Sequence, residues 1–583
     1  RCHLSVPMYR KVCIYNTCIL HNCTHAKPGW VAILNSPNSI HNCSKNVHLI
    51  ESNSTHIWID KDTYSVYNIW SEKDFFCCYT PFLGSTSIYN VTYGDCKIFT
   101  AIIPVEHEYV RIECYYSDDK IYEDFIMTTF LEPLVKENKE NVGYNVVILG
   151  IENISRRNFF RTMPASTRFL LDRGFLYLRG YNKVGDNSLP NLFPILTGHS
   201  FDVVKKVCRV NNTVNIEVCP FIWDKFKEAG YSTVLASDST AGLLGHYEFN
   251  LPSVPTDFYL QPFIAETTVL FHAKDYDYHQ CLQSKYYYKI LLKYIHGLIN
   301  KLKNYTMFGL FWEETITHQV NIFNPRIMDD DYANLLTAME VEGFLNTTIL
   351  IIMSDHGMRW GEIVRTDQGR LEERLPMFGV IFPREFKIRH KFAVDNFERN
   401  TKRLITPFDI HATLLHLTDP ASLVNDEIKA LTGLRNTESQ SSSLFLPISE
   451  KRTCKSLGIR EHWCTCFRGH KLKAGSKAKV VAANELLRHI NKLLSIYPQC
   501  HKLRLRNILT CFVTKNSGRE RIYTVVIETF PGSAIFDATL IRYRRSWTVS
   551  GIVSRLNLYI NDSYCVENSL IKYYCFCKLK SAM

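Results

Sequence analysis

The sequence predicts an α/β protein, a sandwich with a mostly parallel central sheet between two cysteine-rich flanks. Three observations lead there. Strand-like and helix-like segments alternate over roughly 300 residues in the middle of the chain. The strand-like runs, such as Val146 to Ile151 and Ile349 to Met353, are apolar at every position, as strands covered on both faces are. Three of them lead directly into acids or histidines: Glu152, Glu314 with His318, and Asp355 with His356. Burial explains the apolar runs but not the polar residues that follow. In such sheets ligands bind beyond the carboxyl ends of the strands.

At 583 residues the chain exceeds one ordinary domain. Its 46% hydrophobic and 13% aromatic content is that of a folded protein and excludes a largely disordered one. No run approaches the about eighteen apolar residues of a membrane span. An opening Arg1 in place of Met predicts a processed or trimmed chain. Three regions are expected. Residues 1–140 form a Cys-rich β module, with strands at 56–59 (HIWI), 65–70 (SVYNIW) and 107–116. Residues 141–450 form the core, entered through the charged segment 134–143. Its strands are Asn145–Ile151, Ser232–Ser237, Met307–Trp312, Thr348–Ser354 and Met377–Phe382. Its helices are 155–173, one opening at Ser188, 223–229, 286–303, 331–342 and 407–417. Residues 451–583 are a basic Cys-rich region with a helix at 484–494 and strands at 521–530 and 546–554.

The cysteines crowd into the flanks. Nine come first (Cys2, Cys13, Cys18, Cys23, Cys43, Cys77, Cys78, Cys96, Cys114), then Cys208, Cys219 and Cys281. The last eight are Cys454, Cys464, Cys466, Cys500, Cys511, Cys565, Cys575 and Cys577. This predicts disulfides in an oxidising compartment rather than zinc ligation, since paired two-residue spacings are missing. Nine being odd, one N-terminal cysteine must stay free or reach another region, and Cys281 is the candidate partner. Sequons at Asn22, Asn42, Asn53, Asn90, Asn211, Asn304, Asn346 and Asn561 predict glycosylation, whereas that at Asn153 lies inside the candidate site. Together these predict a secreted protein or one in the secretory-pathway lumen. Residues 451–583 hold 24 Lys/Arg against 7 Asp/Glu, and the preceding 450 residues hold 44 against 50. The basic end predicts a polyanionic partner, a sulfated glycan or an anionic membrane surface, with a merely solvated face as the alternative. Nucleic acid is excluded by the compartment.

The chemistry follows from four residues. Asp355 and His356 offer a carboxylate and an imidazole, Glu152 a third ligand and the Ser188 hydroxyl a fourth, the donor set of a divalent metal. Ser188-Leu189-Pro190 suits a helix start, where free N–H groups favour an anionic ester, although capping alone would also explain it. Glu314 and His318 with His411 are the candidates for a second metal, if the 314–318 segment is helical. Without a Gly-x-Ser-x-Gly elbow, a serine-hydrolase triad is not expected.

The segments VILGIENISRRNF, GYNKVGDNSLPNL, EAGYST, PTDFYLQPF, FGLFWEETITH, the run from NTTILIIMSDHG to EERLP, RLITPFDIHATLLHL and RTC…HWCTC occur in that order. Over about residues 120 to 470 they resemble the animal domain-of-unknown-function family 229, a branch of the alkaline phosphatase and sulfatase superfamily. The resemblance implies an alkaline-phosphatase-like sandwich and a metal-dependent esterase site. It places Glu152 where the family usually has Asp, and Ser188 at the nucleophile position, where Thr is commoner. Asp355 and His356 fall on the metal pair. His318 matches a second-metal or substrate histidine, but is followed by Gln319 where Asp is common. One or two zinc ions are implied, with calcium or manganese as alternatives. Formylglycine sulfatases need Arg where Leu192 stands, so an unmodified serine and phosphoryl chemistry are expected. The reading is a phosphoester hydrolase or phosphoryl-group transferase acting on a phosphorylated or sulfated ester, on glycan or lipid. A sulfuric ester hydrolase and an inactive binding protein of the same fold are the alternatives. Arg156, Lys183, Asn187 and Arg359 are the expected substrate contacts, with ion pairing to Glu372, Glu373 or Asp186 as their other use.

Overall fold

The computed structural model describes residues 43, 47–53, 55–84, 91–128, 143–210, 213–214, 218–240, 243, 254–272, 280–434, 441–466, 469–515, 520–557, 559 and 562–578. The expected linker at 134–142 lies outside them, as do Cys2, Cys13, Cys18 and Cys23 and the sequons at Asn22, Asn42, Asn90, Asn211 and Asn561.

The N-terminal part is antiparallel. A short strand β1 (His56–Ile59) pairs with Ile50–Ser52 and Ile102–Pro104, and β2 (Phe75–Gly84), β3 (Tyr109–Tyr116) and β4 (Asp119–Met127) form a second sheet. The expected strand at 65–70 is a correction. Those residues form turns after a 3-10 turn at Lys61–Thr63, and Asn68 takes a φ of 55°. Of that run only Ile69 is buried, while Val66 and Trp70 stand out in solvent, so no face of a strand could be covered.

The core sheet has seven strands. In chain order its parts are β5 (Asn145–Ile151), α1 (Arg156–Thr162), α2 (Pro164–Asp172), β6 (Leu176–Tyr177), α3 (Ser188–Thr197), α4 (Ile222–Glu228), β7 (Ser232–Ser237) and β8 (Phe258–Tyr259). There follow α5 (Tyr287–Lys301), β9 (Met307–Glu313), α6 (Asp329–Val341), β10 (Thr348–Met353), α7 (Asp367–Arg374), β11 (Phe378–Ile381) and α8 (Pro407–Leu417). The spatial order is β6-β11-β10-β5-β9-β7-β8. The four pairings from β10 to β8 are parallel, and β11 and β6 add an antiparallel edge. Along β5, Val146 and Ile148 pack with α3, α4 and α8, whereas Val147, Leu149 and Ile151 pack with α5 and α6. Both faces are therefore core, which is why the sequence shows no alternation.

The C-terminal part sets α9 (Lys477–Leu494) across a sheet of His470–Lys471, β12 (Arg504–Lys515), β13 (Glu520–Phe530), β14 (Ile535–Tyr543) and β15 (Ser546–Arg555). It is bound to the core by an apolar cluster and by polar contacts. Asn182 donates to the Trp463 carbonyl, Ser554 to Asp186, and Arg374 pairs with Asp537.

Disulfides join Cys43–Cys281, Cys77–Cys114, Cys78–Cys96, Cys208–Cys219, Cys454–Cys464, Cys500–Cys575 and Cys565–Cys577, and Cys466 is also disulfide-bonded. The expected reach from the N-terminal cysteines to Cys281 is thus made by Cys43. Cys511 is a correction: it is a free, buried thiol. It sits on β12 opposite Val525 in the apolar core that α9 shares with the sheet, with no second thiol across the strand. Asn53, Asn304 and Asn346 are exposed, whereas Asn153 is 2% exposed. No described helix is long and apolar enough to cross a membrane.

Candidate functional site

Two neighbouring parallel strands, β5 and β10, end side by side, and each releases its acid at that end. Glu152 follows β5. Its backbone N–H bonds the Glu313 carbonyl at the end of β9. Asn153 then turns the chain with a φ of 62°, a conformation uncommon for a residue with a side chain. Its N–H donates to Asp355 Oδ1 (3.2 Å), so the turn after β5 grips the acid after β10. Ser354 Oγ, which receives the Ile154 N–H (3.0 Å) and donates to the His356 carbonyl (2.9 Å), ties the same two turns again.

Ser188 arrives from the other side, as the first residue of α3 with Asn187 at the cap. The Asn187 side chain makes no capping bond. The loop is instead shaped by Asn191, whose Oδ1 accepts from Val184 and Gly185 N–H and whose Nδ2 donates to the Gly185 and Asn187 carbonyls. Ser188 Oγ donates to Glu152 Oε1 (2.6 Å) and lies 3.5 Å from His356 Nε2. The other Glu152 oxygen accepts from the Trp312 indole N–H (2.9 Å).

The His356 ring decides what this group can do. Its Nδ1 lies 3.0 Å from the Gly357 carbonyl, which can only accept, so Nδ1 carries the proton. Burial, then the charges of Arg359 and Lys183, holds the imidazole neutral, well below its ordinary pKa. Nε2 therefore presents a bare lone pair. Facing it are Asp355 Oδ2 at 3.1 Å, Glu152 Oε1 at 3.8 Å and the serine oxygen. Asp355 Oδ2 is buried and has no hydrogen-bond partner. Lone pairs converging in a buried place repel unless a proton or cation lies between them. Both carboxyls respond by binding protons more tightly. Glu152 is raised by burial and by the charges on Asp355 and Glu314, and Asp355 is raised by burial. One carboxylate oxygen from each acid and the imidazole nitrogen lie within 4.8 Å of one another, a spacing that fits a divalent ion.

The other expected residues divide. Glu314 is buried, and its charge acts on Glu152. His318 N–H bonds the Glu314 carbonyl in a single α-turn (2.9 Å), so the expected helix is one turn only. Burial, then Arg359, pushes the His318 pKa down to about 3. Neither belongs to the three-ligand group. His411 is not brought there either. Its Nδ1 bonds the Ile195 carbonyl (2.8 Å) and its ring abuts Gly198, at the far end of α3 from Ser188, about 15 Å along the axis. Lys183 is fully buried, paired with Glu373 and donating to the Asp186 carbonyl, which is the ion-pair use. Arg156 lies 5.9 Å from the Tyr177 ring, and burial lowers its pKa to about 10. Arg156 and Arg359 are both partly exposed, and of the two it is Arg359 whose charge acts on both histidines.

Sequence reasoning missed Trp312, Ser354 and the backbone of Asn153. Trp312 lies opposite Gly150 in the parallel register, and a Cβ at 150 would fall 1.9 Å from its ring. The Gly–Trp pair is visible only once the register is known.

The family model described as "Protein of unknown function (DUF229)" matches residues 36–509. No curated protein matches the chain. Among solved structures, the chain is similar to a protein in the alkaline phosphatase superfamily from Vibrio parahaemolyticus, with 12% identity over 76% of this chain and 89% of that one and a TM-score of 0.34. It is similar to the lipoteichoic acid synthase LtaP from Listeria monocytogenes, at 12% identity over 48% and 72% and a TM-score of 0.34. It is also similar to the C-terminal periplasmic domain of EcEptC from Escherichia coli, at 14% over 54% and 94% and a TM-score of 0.34.

Proposed function

We propose, taking as premise that this chain belongs to the DUF229 family of proteins of unknown function, that it is a metal-dependent phosphoester hydrolase or phosphoryl-group transferase with Ser188 as nucleophile. The observation that carries the reading is the bare His356 Nε2, turned toward Asp355 Oδ2, Glu152 Oε1 and the serine oxygen. Glu152, Asp355 and His356 would hold one divalent ion, zinc by its donor set and calcium or manganese otherwise. Bound there, the ion would lower the pKa of the serine hydroxyl and neutralise charge growing on the ester oxygens.

The chain's own residues then do the following. Ser188 Oγ, which donates to Glu152 Oε1, gives its proton to solvent as it attacks phosphorus, so that Glu152 stays an anionic ligand. The Oγ–P bond forms, the bond from phosphorus to the alcohol oxygen breaks, and the alcohol leaves with a proton from solvent. Water or an acceptor alcohol next forms a new P–O bond as P–Oγ breaks. The incoming oxygen gives a proton to solvent, and Oγ takes one back from it. Because Ser188 opens α3, the first free N–H groups of that helix favour the anionic ester.

A serine without Arg at 192 is not set up for conversion to formylglycine, so phosphorus is preferred over sulfur. Secretion, supported by the disulfides and exposed sequons, and a polyanionic partner for residues 451–583 belong to the same proposal. The test is a panel of phosphate and sulfate esters with wild type and Ser188→Ala. Loss of turnover by at least about 10³-fold in the variant, with a phosphoserine at 188 trapped in wild type, is expected. Equal turnover by both proteins, or formylglycine at 188, would refute it.

A further inference from the structure

After His356 the chain leaves the site through Met358, Arg359 and Trp360 and lands on the C-terminal part. Met358 is buried with Ile322 and Phe323 of the core and with Val526, Ile535 and Leu556 of the C-terminal sheet. Trp360 packs against that cluster and continues as a row of rings. Its ring lies 6.3 Å from Tyr559 at an interplanar angle of 32°, and Tyr559 lies 5.1 Å from Tyr573 at 53°. Two guanidiniums border the row, Arg359 at 4.8 Å from the Trp360 ring and Arg555 at 5.8 Å from that of Tyr559. Arg555 also donates to the Tyr573 carbonyl (3.2 Å), and the disulfides Cys500–Cys575 and Cys565–Cys577 fasten the segment that carries Tyr573.

The chain ties the row to the reacting groups. Arg359 follows His356 by three residues, and its charge acts on His356 and His318. Although burial works against it, Asp186, Tyr573, Glu373 and Tyr559 hold Arg359 above its ordinary pKa. The guanidinium thus lies on the Trp360 ring, and its charge acts on His356 and on both tyrosines. Arg359, Trp360, Tyr559 and Tyr573 are all partly exposed, as Ser188 is.

We propose that Arg359, Trp360, Tyr559 and Tyr573 form the subsite for the alcohol side of the ester, and that this alcohol is a sugar. The inference rests on the esterase reading above and adds its substrate class. The chemistry of the wall selects the ligand. A flat base is held best when clamped between parallel rings, and these are tilted against one another. A quaternary ammonium headgroup is attracted to aromatic faces but repelled by the Arg359 guanidinium, Arg555 being buried and paired with Asp562. An acyl chain needs a continuous apolar groove, and this row is interrupted by phenol hydroxyls and guanidiniums. A pyranose lays its C–H face on one ring and offers hydroxyls at its rim, which the Tyr hydroxyls and Arg359 N–H groups can meet.

The test compares two phosphate monoesters of equal charge, glucose 6-phosphate and methyl phosphate, on the full chain. Tyr559→Ala is expected to raise KM for glucose 6-phosphate about tenfold more than for methyl phosphate, with kcat little changed, whereas Tyr559→Phe, which keeps the ring and loses only the hydroxyl, moves the ratio less. A second readout does not need turnover. In the Ser188→Ala background glucose 6-phosphate should change tryptophan emission, and Trp360→Phe should remove that change. Equal rises in both KM values, or an emission change that survives Trp360→Phe, would overturn the subsite. If wild type turns over neither ester while glucose 6-phosphate still alters Trp360 emission, the esterase reading falls and the sugar subsite stands.

Discussion

Trp312 fills the space that any side chain at position 150 would occupy, and from there its indole N–H reaches Glu152 Oε2. With that oxygen held, Oε1 is left to face Ser188 and His356. A buried carboxylate with a fixed rotamer is a better ligand than a mobile one, because less order must be imposed on binding. Trp312→Phe keeps most of the packing and removes the donor. Metal affinity is expected to fall about 10- to 100-fold, measured by competition with a chelator, while the folding transition moves little. An unchanged affinity would mean that the indole only packs. The sequence disclosed the acids, the serine and His356, since each stands where an apolar run breaks or a helix begins. It did not disclose Trp312, because a tryptophan inside an apolar strand has no local mark of a hydrogen-bonding task.

At the scale of elements, the site exists because β5 and β10 are parallel neighbours, so residues just past their ends meet although they are about 200 positions apart in the chain. Strand identity was legible from continuous apolar runs. Strand order was not, because both faces of β5 are buried and nothing local says which strand lies beside it. SVYNIW misled because β-branched and aromatic residues also line turns, and only one of its side chains finds a core. A second junction carries a pH prediction. Glu108, just before β3, accepts the Tyr294 hydroxyl of α5 (2.9 Å), and burial raises its pKa to about 7. The folded state therefore binds this proton more tightly than the unfolded chain, whose carboxyl titrates near the ordinary 4.5. The stability it contributes is full below that value and is lost as pH rises to about 7 and beyond, up to about 3 kcal/mol. Urea midpoints at pH 5 and pH 7.5 should thus differ less in Glu108→Gln than in wild type. An identical pH dependence in the two proteins would remove Glu108 as its source.

At the scale of the whole molecule, the cysteine-rich flanks are fastened to the core rather than hung from it. Cys43 reaches Cys281, and Asp537 and Ser554 of the C-terminal sheet reach Arg374 and Asp186 near the site. The cysteine count announced disulfides, and the odd number in the N-terminal flank announced a long reach. The buried polar contacts of the C-terminal part left no such trace. Its excess of cations is partly displayed on and before α9, where Lys473, Lys477, Arg488 and Lys492 are exposed. Replacing these four by Glu should lower the salt needed to elute the protein from heparin. Unaltered elution would dismiss a polyanion partner at this surface. The reading as a whole stands or falls on whether the cluster of Glu152, Asp355 and His356 binds a metal. The direct measurement is elemental analysis of the purified full chain after incubation with zinc and removal of excess. About one ion per chain is expected in wild type and essentially none in Asp355→Ala with the fold intact by circular dichroism. Equal metal content in the two proteins, or none in either, would contradict the account.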